Sequence, residues 1–314
     1  MQFFHGTKID FMKTRTLFFY ISLVLTISSV LTVAITGVDF GIDFTGGSEL
    51  AVKFDKVIHT DEIRGSIERG KFHGAEIKSY GEENQFLIRM RESGKAAERA
   101  IDVLRNDFPN NKIELLKTDT IGPKVGKELF NMGILAVILA VIAIMLYIAF
   151  RFEFKFGLGA IVALVHDVVV AFGIVNLVHH LGIINIEFNQ NMIAAMLTVV
   201  GYSVNDTVIV FDRVRENMEK HKGLHFVKLI NLSINETLSR TINTVLTVVI
   251  VLLIIVLFGG PVLQGFAFTM LVGITFGTYS SVYVASAFVV WYLRKVKKIE
   301  VDDPADAKLA SSKI

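Results

Sequence analysis

The chain has 314 residues, a net charge of +2, no cysteine and 52% hydrophobic residues. Its mean hydropathy of +0.54 is too high for an ordinary soluble domain. The missing cysteines exclude disulfides, thiolate metal sites and a cysteine nucleophile, and the near-neutral charge argues against a nucleic-acid partner.

A membrane-spanning helix needs about 20 apolar residues. Six blocks qualify, near 16–36, 130–150, 156–178, 191–211, 240–258 and 265–293. The first has the basic flank of a signal peptide but is too long, and Ile35-Thr36-Gly37-Val38-Asp39 is a poor cleavage site, so it reads as an uncleaved anchor. Lys8, Lys13 and Arg15 precede the first span, and Arg151 and Lys155 lie between spans two and three. Arg213, Arg215, Lys220, Lys222 and Lys228 lie between spans four and five, and Arg294, Lys295, Lys297 and Lys298 follow span six. The short loops 179–190 and 259–264 have neither Lys nor Arg, so both termini are expected in the cytoplasm. Trp291 and Tyr292 suit the cytoplasmic interface. The expected organisation is 1–37, N-terminus and first span; 38–125, an extracytoplasmic domain; 126–295, spans two to six with a cytoplasmic loop at 213–239; and 296–314, a cytoplasmic tail that is polar and disordered from 299.

The domain 38–125 alternates between strand and helix patterns. Glu49–Phe54 reads as a strand, and 60–69 as a helix capped by Thr60 or Asp61 with Ile63 and Ile67 on one face. Strands follow at 75–80 and 85–91 around a turn at Gly81-Glu82-Glu83-Asn84. A helix over 95–108 and a strand over 113–116 complete a βαββαβ, ferredoxin-like unit. It carries no catalytic constellation, and His59 and His73 read as solvated. In the segment 213–235, Phe226, Leu229, Ile230 and Ile234 recur at helical spacing. That suits an interfacial amphipathic helix, a helical connector packed on the membrane domain, or both at once.

Three places in the spans are polar. Asp206 lies in the fourth, beside Asn205, where a charge costs about 2.5–3.5 kcal/mol on insertion scales. It reads either as a proton-handling group or as a neutral acid hydrogen-bonded across helices. Gly201, close by, offers a small surface for another helix. Arg240 opens the fifth span in the same half of the bilayer. It either snorkels to the interface or meets Asp206, which would lower the cost of burial for both. His166 and Asp167 sit mid-span in the third block, about 100° apart on the helix, as part of a polar path or a structural pair. The motif Gly41-Ile42-Asp43-Phe44-Thr45-Gly46-Gly47 lacks the Lys-Ser/Thr and the following helix of a phosphate loop. Gly41, Asp43, Gly46 and Gly47 read as a structural hinge.

That glycine motif, and the run Gly201-Tyr202-Ser203-Val204-Asn205-Asp206-Thr207-Val208-Ile209-Val210-Phe211-Asp212-Arg213, resemble the two signatures of the SecF branch of the SecD/SecF family. His166-Asp167 and the segment 235–241 look like that family too, and the resemblance spans residues 10–295. It implies an RND-like membrane fold and a proton-driven transport component, not an enzyme, with protons as coupling ion and no cofactor. It implies partnership with SecD, the SecYEG channel, YajC, YidC and a translocating preprotein in the bacterial cytoplasmic membrane, with lipid and no nucleic acid around it. It implies a proton relay through Asp206 and Arg240, with SecD adding a membrane Asp. His166, Asp167 and Asn205 are candidate secondary positions. A different RND-like exporter half-unit and a passive assembly subunit are the competing expectations.

Overall fold

Each apolar block becomes a helix longer than itself, because backbone hydrogen bonding continues past the end of apolarity until a cap or breaker stops it. A computed structural model describes residues 7–81 and 83–301. Glu82 of the expected turn and the tail beyond 301 lie outside the described residues. In chain order, a 3-10 turn (Phe11–Thr14) leads into α1 (Arg15–Thr36) and a single turn α2 (Ile42–Thr45). The outer domain follows as β1 (Gly47–Phe54), α3 (Thr60–Arg69), β2 (Glu76–Ser79), β3 (Gln85–Met90), α4 (Ala96–Asp107) and β4 (Ile113–Ile121). Then come α5 (Pro123–Arg151), α6 (Phe154–His180), α7 (Gln190–Lys220), α8 (Phe226–Phe258), α9 (Gly260–Ser280), a π turn (Ser281–Ala285) and α10 (Ser286–Lys295). Among the described residues six helices are long and apolar enough to cross a membrane, the sixth formed by α9, the π turn and α10 together.

The outer domain is the expected βαββαβ unit, an antiparallel sheet in the order β2-β3-β1-β4. Leu50, Val52 and Phe54 of β1 pack with Ile63 and Ile67 of α3 and Ala97, Ala100 and Leu104 of α4. Two local expectations change. His59, not Thr60 or Asp61, caps α3, and the Glu62 carboxylate accepts from its backbone N–H at 3.2 Å. The last strand runs to Ile121 rather than 116. It is an edge strand with only Ile113 buried, so no apolar alternation marks its second half.

The membrane helices form an inner set and an outer set. α6, α7 and α9 bury much of their surface within the chain, whereas α1, α5 and α8 expose most of theirs. Small residues let neighbouring helices close up. A Cβ at Gly173 of α6 would collide with Ser29 of α1, and one at Gly273 of α9 with Val199 of α7. At Gly277 it would sit 3.2 Å from Ser203 of α7. Gly201, expected to receive a neighbouring helix, has nothing within 4 Å of a built Cβ and faces out of the chain.

The expected cytoplasmic loop 213–239 is mostly helix. α7 continues to Lys220 and α8 starts at Phe226, which leaves only 221–225 between them. Phe226, Ile230 and Ile234 are buried in the main core with Phe211 and Val214, so this stretch packs on the membrane helices as a connector. Arg213 bridges its two arms, donating to Glu236 at 2.7 Å and to Glu216 at 2.5 Å.

The outer domain is tied to the membrane helices through Glu187, in the short connection between α6 and α7. This buried carboxylate accepts from Arg89 of β3 and, at 3.3 Å, from Lys78 of β2. Arg89 also donates to Glu49 of β1 at 3.2 Å, and Lys117 of β4 reaches Glu49 at 3.1 Å. One carboxylate below the sheet therefore engages two of its strands, and the network continues to all four.

Two outcomes are expected. Gly173→Leu should lower thermal stability in detergent by about 1–3 kcal/mol, the usual cost of overpacking, whereas Gly201→Ala should leave it unchanged. Glu187→Ala removes one of the two buried carboxylates that hold Arg89, and hydrogen exchange should speed up in β1 and at residues 38–41 while α6 and α7 stay protected.

Candidate functional site

The polar residues of the spans converge where α6, α7 and α9 meet. Asp167 of α6 is fully buried. Its Oδ1 accepts from His166 Nδ1 at 2.9 Å, and its Oδ2 accepts from Ser203 Oγ at 2.5 Å and from Ser280 Oγ at 2.6 Å. His166 and Asp167 thus bond to each other despite their angular offset on the helix. Asp206 of α7 is 5% exposed, and its Oδ2 accepts from Thr278 Oγ1 of α9 at 2.9 Å. The two carboxylates divide the hydroxyls of two helices. On α7, Ser203 serves Asp167 one turn before Asp206 itself, and on α9, Thr278 serves Asp206 two residues before Ser280 serves Asp167.

Each placement has a local cause. Gly277 lacks the side chain that would hold Ser203 away, and a Cβ there would lie 3.7 Å from Asp167 Oδ2. Ser280 is the last residue before the π turn, a wide-turn distortion common at functional sites. Next to it, Tyr279 donates to the Phe18 carbonyl of α1 at 3.0 Å and so accepts from Ser22 at 2.8 Å. Its ring lies 6.3 Å from that of His166. His166 Nε2 and the Thr207 hydroxyl are buried with no hydrogen-bond partner among the described residues.

Arg240, the expected partner of Asp206, does not join this centre. It is exposed on α8, and no ion pair to it occurs among the described residues. The physical reason is angular. Asp206 faces α9, whereas Arg240 lies on the outer side of α8, next to Thr241, which is buried. Asn205 also faces outward. With Ala194, Thr198 and Gly201 it forms an exposed stripe of small and polar residues along α7.

The glycine motif is held rather than free. The Gly41 N–H donates to the Phe188 carbonyl at 3.0 Å, and Asp43 Oδ2 accepts from Gln190 N at the start of α7 at 3.0 Å. Gly46 (φ +72°) and Gly47 (φ +130°) adopt conformations that disfavour a side chain. A Cβ on Gly46 would lie 2.7 Å from Pro123 Cα, and one on Gly47 would strike the Met90 carbonyl. Gly126 of α5 packs on Gly46 in return, its built Cβ 2.9 Å from the Gly46 nitrogen. The motif clamps β1, α5 and α7 together.

A second polar cluster lies at the C-terminal end of α6, next to the β-sheet domain. His179 Nε2 donates to Asp39 at 2.8 Å, and its Nδ1 accepts from Ile186 N at 3.0 Å, which places its proton on Nε2. The hydrogen bond from His179, aided by Lys78 and opposed by partial burial, holds the Asp39 carboxyl below the usual carboxylate range. Beside it an open cavity of about 620 Å³ is lined by Lys78, Tyr80, His180 and Gln264. Among the described residues no group of three or more His, Asp or Glu side chains is arranged for a metal ion.

Sequence reasoning did not single out Ser203, Thr278, Ser280, Glu187 or Arg89. Ser203 lies inside the quoted motif, one turn before Asp206, and that spacing was a usable signal. Thr278 and Ser280 have none, because hydroxyl residues are common in these spans and most bond to their own helix, as Thr26, Thr32 and Thr198 do.

The family described as "Protein export membrane protein SecD/SecF, C-terminal" matches residues 101–295, and the "SecD/SecF GG Motif" matches residues 33–56. The chain is 40% identical over 293 residues to the "Protein translocase subunit SecF" of Rhodothermus marinus, covering 92% of this chain and 95% of that one. It is 37% identical over 291 residues to the protein of the same name from Rickettsia prowazekii, covering 91% of each. Among solved structures it is similar to SecDF, a translocon-associated membrane protein from Thermus thermophilus, with a TM-score of 0.82 and 36% identity. That match covers 92% of this chain but 39% of the longer SecDF chain. A SecDF structure in a super-membrane-facing form matches less well, with a TM-score of 0.69 at 35% identity over 95% of this chain and 40% of that one. Matched along nearly its whole length by translocase subunits, and with its glycine clamp and its polar helix centre both inside the family's matched regions, this multi-pass membrane protein belongs to the SecD/SecF family.

Proposed function

We propose that this chain acts as the SecF subunit of the protein-export machinery, and that with SecD it uses the proton gradient to assist late steps of preprotein translocation. The observation that carries the reading is Asp206, a buried carboxylate in a helix that crosses the membrane, held among the described residues by one hydroxyl and by no cation. A group held this lightly gains or loses a proton with little rearrangement of covalent or ionic contacts. Each charge moved across the membrane is driven by about 2.3 kcal/mol per 100 mV, comparable to the few kcal/mol that separate two domain arrangements.

The partnership with SecD has its own support. Asn205 and Arg240 face outward at membrane depth, where lipid offers them no hydrogen bonds. The stripe Ala194, Thr198, Gly201 and Asn205 suits close approach of a helix from another chain. In this reading Arg240 meets a carboxylate of SecD in the conformation described, and Asp206 is the proton carrier on this side of the interface. The Lys and Arg distribution supports a bacterial cytoplasmic membrane location with both termini inside and the β-sheet domain outside. Association with SecYEG, YajC, YidC and the preprotein belongs to the same proposal.

Asp206→Asn is expected to abolish gradient-stimulated translocation in membrane vesicles while the variant still co-purifies with SecD. Normal translocation by that variant would remove Asp206 from the relay. Loss of co-purification would instead make it an assembly residue.

A further inference from the structure

Proton coupling in the reading above runs through Asp206, yet Asp206 is not the most buried carboxylate. Asp167 is completely enclosed and has more partners: one imidazole and two hydroxyls from three helices. A carboxyl in such a site costs several kcal/mol to keep charged, even when well hydrogen-bonded. A purely structural acceptor here needs no charge, and a neutral amide would serve. The arrangement of His166 adds a second observation. Its Nδ1 is committed to Asp167, while its Nε2 is buried, 6% exposed as a residue, and without a partner among the described residues. An imidazole bonded to a carboxylate at one nitrogen and open at the other has the geometry to take a proton on one side and deliver one on the other.

We propose that His166 and Asp167 form a second proton-exchange site, coupled to Asp206 through the hydroxyls of Ser203, Thr278 and Ser280. The inference rests on the proton-coupled reading of the preceding section. A proton that binds Nε2 makes the ring an imidazolium. The Nδ1 proton then crosses the 2.9 Å bond to Asp167 Oδ1. The products are a neutral imidazole protonated at Nε2 and a neutral carboxylic acid, so one proton has entered and none is lost.

The coupling follows from shared helices. Ser203 and Ser280 both donate to Asp167 Oδ2, and a carboxyl that gains a proton is a weaker acceptor for both. Weakening those bonds loosens α7 and α9 within one turn of the Asp206–Thr278 contact. Two carboxylates in one low-dielectric cluster also resist being ionised together. A proton on Asp167 therefore favours the charged form of Asp206, and the pair alternates. Among the described residues the other titratable groups facing this site are Tyr279, 6.3 Å from His166 between ring centres, and Tyr283, whose ring is tilted against that of Tyr279 at 5.5 Å; α1 faces it with Ser22, through Tyr279.

The test uses the complex with its partner subunit in lipid. Infrared difference spectra across pH should contain a protonated-carboxyl signal that disappears in Asp167→Asn, and this substitution should shift the pH midpoint of the signal lost in Asp206→Asn. His166→Gln keeps a hydrogen bond to Asp167 but cannot be charged, and it should reduce gradient-driven translocation by about tenfold or more. Asp167→Glu retains a proton site, so its carboxyl signal should move rather than vanish, with partial activity; this variant serves if Asp167→Asn fails to assemble. An unchanged carboxyl signal in both Asp167 variants, or a His166→Gln variant as fast as wild type, would overturn the proposal. If those variants are silent while Asp206→Asn abolishes coupling, only this inference falls. If translocation ignores both the gradient and Asp206→Asn, the proposed function falls with it.

Discussion

The constraint on which the rest of this structure depends is the burial of two carboxylates where three membrane-crossing helices meet. Among the described residues neither Asp167 nor Asp206 pairs with a lysine or arginine; Asp167 has the His166 imidazole and Asp206 a single hydroxyl. Hydroxyls do the work instead, and a hydroxyl is a short-range partner. Ser203 and Ser280 reach Asp167 only because α6, α7 and α9 approach closely, and glycines stand at 273 and 277 where α9 meets its neighbours. Polar satisfaction and helix packing are therefore one problem here, and a change in protonation at either carboxyl alters the contacts that set helix spacing.

The outer domain is placed to respond to such a change. Its first strand starts at the glycine clamp, where Gly46 and Gly47 press against Pro123 and Met90. Asp43 caps the start of α7, the helix that carries Ser203 and Asp206. Glu187, just before that helix, holds Arg89 and Lys78 of the sheet. A shift of α7 along or about its axis thus acts on both the clamp and the ionic bridge. Packed contacts of this kind switch between discrete arrangements rather than deforming smoothly.

Much of the fold was legible in the sequence because two periodicities carry it. The spans are apolar runs of membrane length, and α3 over Thr60–Arg69 shows its buried apolar face in Ile63 and Ile67. Legibility failed where burial was one-sided or absent. β4 has one buried residue, so half of it gave no pattern, and the helical 213–239 stretch was hidden because charged residues can continue a helix past a membrane edge. For the site, the cost of charge in lipid marked Asp167 and Asp206 without further help. Their partners were another matter. Arg240 is attractive as an opposite charge in the same half of the bilayer, but helix rotation directs it outward and turns Asp206 toward Thr278. A rotation of that kind depends on how α7, α8 and α9 pack, and no local sequence pattern encodes it.

The central claim is that a buried carboxylate of this chain carries protons, and proton movement itself is the most direct readout. The complex with SecD, reconstituted into liposomes loaded with a pH-sensitive dye, would be given an imposed proton gradient. The account predicts proton flux with the wild-type chain and none above empty liposomes with Asp206→Asn. Equal flux from the two proteins would contradict it.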